Sequence, residues 1–340
     1  MNQFILEISQ MDDSVMKYYE ETYVPISFGL LNQEKDTYLG NQEKKVCRFC
    51  GKGEETVKFE HRAHVFPESI GNRFLLSYYE CDTCNKKFSR LLENHYSNFF
   101  KFYHNASNIR GKKTVPTYQT KTGKSRAEWR KDINGKELYV ISDETDNITT
   151  YIDIEEKRLL RQGIIDSYIP MAVYKCFVKM ALSVMPDNEL MYFEKTLDWI
   201  SSKKHENIFN GKKLLCRYKI IPGFGTTKFP AYCLYKRKEQ IEGGLLFEPY
   251  MLFNLTYGNF SYLIEVPTIR YNTCIDIRKL PFPPIPFVTS GEGTYDFSES
   301  VLCENQRCSM EYHFDIAIPI VEGKESNMDK ETLLKSMWLK

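Results

Sequence analysis

Two Cys-x-x-Cys pairs, Cys47-Arg48-Phe49-Cys50 and Cys81-Asp82-Thr83-Cys84, constrain this chain more than any other feature. Two residues between thiols let one tight turn aim both sulfurs at one ion, and two such turns supply the four thiolates of a tetrahedral Zn²⁺ site. The stretch between the pairs is too short to bury a core of its own. A structural Zn²⁺ would replace that core, and folding of the segment would be linked to metal uptake. A redox pair or a disulfide would need a βαβ thioredoxin pattern or an oxidising compartment. Neither is visible around these cysteines.

Between the pairs runs Ala63-His64-Val65-Phe66-Pro67-Glu68-Ser69-Ile70-Gly71-Asn72, and Cys84-Asn85 opens a helical pattern that continues through Phe88, Leu91 and Leu92. A first Cys pair, a histidine followed by Pro and Gly, and a second Cys pair followed directly by Asn resemble the zinc-braced HNH (His-Me finger) endonucleases. The resemblance covers about residues 46–105 and implies a treble-clef-like ββα-metal zinc finger. It also implies that His64 ends a strand and deprotonates a water, and that Asn85 on the helix ligates a catalytic divalent cation, Mg²⁺ or another, at the scissile phosphate. Those residue types suit that chemistry, since histidine titrates near neutrality and a divalent ion stabilises charge on the phosphate and the leaving oxygen.

One position departs from the family, which commonly has an acidic or histidine metal ligand directly before the base, where this chain has Ala63. Candidates for the missing ligand are Glu93 first, His61 second, then Glu60 and Glu68. On a regular helix at ~100° per residue, Ser89 lies ~40° and Glu93 ~80° from Asn85, so Glu93 borders that face without lying squarely on it. Ala63 is also the feature that favours an alternative reading, a non-catalytic zinc finger that binds nucleic acid, with His64 a packing or ligand residue.

The 340 residues carry 46 Lys and Arg against 45 Asp and Glu, a net charge of +1, so attraction to phosphate has to be local rather than global. Locally it exists: between Lys101 and Lys131 nine basic residues face one acid, Glu128. Arg110, Lys112, Lys113, Lys121, Lys124 and Arg126, interleaved with Gly111, Gly123, Tyr118 and Trp129, read as a flexible or hairpin-like basic arm able to follow a phosphate backbone. The aromatic stripe Tyr96, Phe99, Phe100, Phe102 and Tyr103 at helical spacing reads as core rather than as a stacking platform for bases.

The remainder reads as an α+β unit. Leu138–Ile141 and Thr149–Ile154 suggest a hairpin across a polar turn. Ser167 to Met185 suggests a helix with one wet face through Asp166, Lys175 and Lys179. A second helix follows Pro186, with Asp187 as N-cap, and runs to about Lys203. Strands over Leu214–Ile221, Ala231–Arg237, Leu245–Tyr257 and Ser261–Pro267 suggest an antiparallel meander packed on the two helices, before a Pro-rich loop and a short terminal helix over Asp329–Leu339. Cys303 and Cys308 with His313 are too loosely spaced to make a convincing second metal site, and Cys176, Cys216, Cys233 and Cys274 read as reduced core residues.

The expected layout is an N-terminal appendage and linker (1–45), the finger (46–105), the basic arm and hairpin (106–160) and a C-terminal α+β domain of unreadable role (161–340). With no basic leader in Met1–Asp13 and no apolar run of membrane length, a cytoplasmic protein without a membrane partner is expected. The expected partner is nucleic acid, DNA rather than RNA. By analogy with HNH restriction and phage-defence effectors, an antiviral role and a homo-oligomer or defence-system partner for the C-terminal domain follow.

Overall fold

The most apolar stretch of the sequence becomes the helix around which the rest is arranged, Pro170–Val184. The computed structural model describes residues 12–313 apart from 32–34, 133–134, 147–149, 154, 157, 223–226, 240–247, 272–274 and 288. Pro170 pre-sets the first turn, and Met185, ahead of Pro186, leaves the helix with extended backbone. Every residue of this helix is buried, as expected for one that is apolar on all sides. The wet face expected from Lys175 and Lys179 therefore does not exist, because both are 0% exposed. Burial is possible because each ammonium meets oxygen. Lys175 Nζ donates to the Lys204 carbonyl at 2.9 Å and lies over the Trp199 ring, while Lys179 Nζ sits 2.9 Å from Glu80 Oε2.

Against this helix lies a six-stranded antiparallel sheet in the order Tyr23–Leu30, Thr227–Arg237, Met251–Gly258, Phe260–Glu265, Leu215–Ile220, Gly291–Asp296. Met251–Gly258 and Phe260–Glu265 are buried on both faces and pair through a two-residue turn. Gly258 opens that turn at φ 55°, a conformation in which a side chain would be strained. One sheet face packs on the main core. The other is closed by a smaller cluster that includes Tyr19, Tyr23, Leu252, Leu263, Leu280 and Phe282.

The expected α+β class with an antiparallel sheet is the observed one, but the domain layout changes. Within the stretch expected as an N-terminal appendage, helix Asp13–Thr22, capped by Asp12, packs on the sheet, and Tyr23–Leu30 is one of its strands. The finger is not a separate domain either. Its helix runs from Asp82 through Ala106, and its aromatic stripe is core as expected, with Phe100 meeting both Phe177 of the central helix and Tyr262 of the sheet. One hydrophobic cluster therefore extends from Leu31 and Cys47 to Met310.

The hairpin expected between 138–141 and 149–154 is replaced by two other pairings, because each segment finds a longer partner. Gly135–Ile141 pairs with Arg126–Asp132, and Thr150–Asp153 with Arg158–Ile164, which also pairs with Arg307–His313. The second helix is broken into Asp187–Leu190, a 3-10 turn at Met191–Phe193, and Glu194–Ser201. Pro186, not Asp187, occupies its cap. Cys274 and Asp329–Leu339 lie outside the described residues. Among the described residues no helix is long and apolar enough to cross a membrane.

The C-terminal end of the central helix is held from the finger. Arg48, between the first two cysteines, donates to the carbonyls of Leu182 (2.6 Å), Ser183 (3.0 Å) and Met185 (3.1 Å) and to Asp187 Oδ1 (3.0 Å), with its guanidinium stacked 3.8 Å over Tyr79. These are carbonyls that a helix end leaves without intrahelical partners, and a cation suits that end of the macrodipole. Arg48→Met should therefore cost roughly 2–3 kcal/mol in urea denaturation. Because finger and sheet share a core, metal release followed by a chelating dye should coincide with the far-UV circular-dichroism transition. Release at clearly lower urea would mean that the finger is an independent domain.

Candidate functional site

The first cysteine pair sits in a turn closed by Gly51 N–H donating to the Cys47 carbonyl at 2.7 Å, with Gly51 at φ 68°, where glycine is the cheap residue. The second pair straddles a helix start: Cys81 is the cap residue of Asp82–Phe88 and Cys84 lies in its first turn, where free N–H groups and the positive dipole end favour thiolates. All four Sγ atoms lie within 4.8 Å of one another, and Cys47, Cys81 and Cys84 are buried. A tetrahedral ion with ~2.3 Å bonds to sulfur spaces its ligands ~3.8 Å apart. Cys50 and Cys81 Sγ are separated by 3.9 Å. A bond from Cys84 pulls the Cys47 thiol down to about 5 despite burial, while burial first of all pushes Cys81 up to about 11, and the bond to Cys47 drives Cys84 upward. Four thiolates this close require a cation to coexist, so the donors fit a metal ion, and Zn²⁺ in particular.

The finger strand carrying the histidine is short. Val65 N–H donates to the Leu75 carbonyl, Ser77 N–H to that of Ala63, and His64 forms a single bridge with Leu76. The loop between these segments is tied from inside by Asn72, which is fully buried. Its amide donates to the carbonyls of Phe66 (2.9 Å) and Leu75 (3.0 Å) and accepts from Leu75 N–H (3.1 Å). The one signal for this role in the sequence is a polar residue just ahead of the apolar run Phe74-Leu75-Leu76. Ala63 points into the core, so no ligand stands at that place.

His64 is partly exposed at the rim of an open cleft of about 1310 Å³ that Asn85, Ser89, Glu93, His61 and Glu68 also line. Its Nε2 lies 3.9 Å from Glu68 Oε1, and Glu68 Oε2 pairs with Lys112 at 3.1 Å. Burial, helped by the cations Arg62, Lys112 and Lys179, lowers the His64 pKa below the ordinary 6.5 against the opposing pull of Glu68. The imidazole is therefore neutral, and able to accept a proton, at physiological pH.

Helix geometry settles the position of Glu93. Ser89–Glu93 forms one π turn inside the finger helix. A π turn absorbs about one extra residue, which takes ~100° out of the rotation and leaves Glu93 within ~20° of Asn85 rather than ~80° away. Both side chains consequently line the same cleft. His61 lines it too, but it is 75% exposed and its Nδ1 lies 3.1 Å from Asp82 Oδ2, a carboxylate that also accepts its backbone N–H.

The arm takes the hairpin form, Tyr118–Gln119 pairing antiparallel with Arg126–Asp132, and it is not wholly at the site. Arg110 turns back onto the Lys113 carbonyl, and Lys112 and Lys113 reach the cleft. Lys121 bonds Asn305, Lys124 bonds Thr145 and Arg126 pairs with Glu128, and none of these three is in the cleft lining. The other cations there, Lys58, Arg62, Arg73 and Lys86, belong to the finger itself and escape a reading of the sequence. Spread over some thirty residues, they make no single long run to notice.

Residues 47–101 match the HNH endonuclease family. The family signature therefore lies in the cysteine-braced finger, with its strand, loop and helix, and the matched part is under a third of the chain. No curated protein and no solved structure matches.

Purified protein is expected to hold about one Zn²⁺ per chain by elemental analysis, and Cys84→Ser to lose the ion together with the finger's folded circular-dichroism signal. Well-folded, metal-free parent protein would show that the four thiols serve another purpose.

Proposed function

We propose that this chain is a metal-dependent endonuclease that hydrolyses phosphodiester bonds of nucleic acid, with DNA preferred. What carries the reading is the convergence of His64, Asn85 and Glu93 on one cleft rimmed by cations, within the segment that matches the HNH endonucleases. His64, neutral at working pH, takes the proton of the attacking water, and the Glu68 carboxylate beside it is the counter-charge for the imidazolium that forms. Asn85 and Glu93 offer two oxygens on one helix face. Two protein ligands suffice where substrate phosphate and water complete the shell. A divalent cation held there would stabilise charge on the phosphate and on the leaving oxygen. Arg62, Arg73, Lys86 and Lys113 line the path along which neighbouring phosphates would lie. Antiviral defence is the setting that the resemblance to restriction and phage-defence effectors suggests, with residues outside the finger recognising substrate or partner.

Three variants separate base from ligand. His64→Ala should lower cleavage by roughly 10²-fold or more, with metal content and nucleic-acid affinity kept. Asn85→Ala and Glu93→Ala should lose cleavage in a way that excess Mg²⁺ partly restores, because mass action offsets weakened binding but cannot replace a base. In the parent, the acid limb of kcat/KM against pH should fall below 6.5, since burial depresses the His64 pKa and the protonated ring cannot act as a base. If parent and His64→Ala bind DNA equally and neither cuts any substrate with any divalent ion, the non-catalytic binding module takes the place of this reading.

The substrate track has its own test. Replacing Arg62, Arg73, Lys86 and Lys113 with Gln should flatten the salt dependence of DNA binding, by ~0.9 in log–log slope for every phosphate that is no longer neutralised. The same change at Lys121 and Lys124 should leave the slope near that of the parent.

A further inference from the structure

We infer that Lys179, on the central helix, is a positioning residue for the cleft and not only a filler of the core, an inference that rests on the nuclease reading above. Its ammonium is shut off from solvent and donates to the backbone carbonyl of His64 at 3.2 Å. The same nitrogen stands 2.9 Å from Glu80 Oε2 and 3.7 Å from Glu93 Oε1. One buried cation thus touches the backbone of the base, the side chain of a metal ligand, and the residue just before Cys81.

Each of those contacts supplies something that the finger lacks by itself. The backbone bonds that flank His64 run from Val65 to Leu75 and from Ser77 to Ala63 and leave its own carbonyl to another donor, and Lys179 supplies that donor, fixing the residue that must meet a water within hydrogen-bond reach. Glu93 sits on the π turn, at a place where the Glu80 carboxylate would repel it if no cation lay between them. Glu93, with a side chain 22% exposed, keeps one edge open to the cleft, whereas Glu80 is sealed. Lys179 therefore holds Glu93 in place from the core side while leaving its cleft side open to a divalent cation. An apolar side chain of similar size would fill the core at least as well, so packing alone does not account for a charge here.

The test uses full-length, metal-loaded protein and two variants. Lys179→Met/Glu80→Gln removes both sealed charges together, so that the carboxylate it leaves without this cation is the part-exposed Glu93. Lys179→Arg keeps a buried cation but moves its donors. Relative to the parent, the double variant should keep its zinc content and circular dichroism and lose at least about 10-fold in kcat per folded molecule at saturating Mg²⁺. KM for a duplex oligonucleotide should change by less than about 3-fold, and Lys179→Arg should fall between the two. A lower melting temperature with parental kcat per folded molecule in either variant assigns Lys179 to packing and overturns the inference. If the parent itself cuts nothing, the nuclease reading fails on its own, and hydrogen exchange decides the tie. The peptide spanning 61–70 should exchange faster in the double variant while that spanning 47–52 does not, and equal exchange over 61–70 overturns it.

Discussion

An ammonium group sealed from water has to be answered by oxygens, and at Lys179 the answers come from three parts of the finger at once: the strand at His64, the residue before the second cysteine pair, and the helix at Glu93. The arrangement is not perfectly satisfied. Burial pushes the Glu80 carboxyl up to about 7 against the pull of Lys179, and neither of its oxygens receives a directed hydrogen bond although the ammonium stands 2.9 Å away. Burial also works against the Lys179 charge, but Glu80 and Glu93 outweigh it and hold its pKa above the ordinary lysine value. Lys179 therefore stays charged while burial opposes the charge on Glu80, and its contacts tie together three chain segments, at His64, Glu80 and Glu93. Breaking such a pair from one side generally costs about 3–5 kcal/mol, because a naked charge is left behind.

Arg48 works in the opposite direction. Where Lys179 reaches from the central helix into the finger, Arg48 reaches from the cysteine turn to the last carbonyls of that helix. Finger and helix are thus clasped at two points, with the shared aromatic core around Phe100 and Phe177 between them. A finger that would need its metal alone to fold is supported here by a much larger body. The same contacts fix where the cleft opens: the strand and helix walls face away from the core, and the loop bearing Lys112 and Lys113 forms a third side.

The two cysteine pairs pointed by their spacing to a cluster of four thiols that could hold a metal ion, and the histidine between them and the asparagine after them lie on the strand and helix that line the cleft. Glu93 was readable as a candidate but not as a member of the face, since a regular helix puts it off to one side and the π turn comes from how the helix packs, not from its own residues. The basic run was misleading in proportion to its length. Half of its named cations are spent on neighbours such as Asn305, Thr145 and Glu128, and isolated arginines and lysines of the finger reach the cleft instead.

The sequence by itself determined the local chemistry: which thiols can share an ion, which histidine lies between them, which stretch is apolar enough to be a central helix, and that the class is α+β. These depend on residue type and on spacings of a few residues, which the chain carries wherever it goes. Only the tertiary structure decided that Lys175 and Lys179 are buried, that Tyr23–Leu30 pairs with Thr227–Arg237, and that 138–141 pairs with 126–132 rather than with 149–154. Those outcomes turn on partners far away in sequence. A lysine is ordinarily a surface residue until a carboxylate is brought to it, and a short alternating segment can pair with several strands until packing selects one.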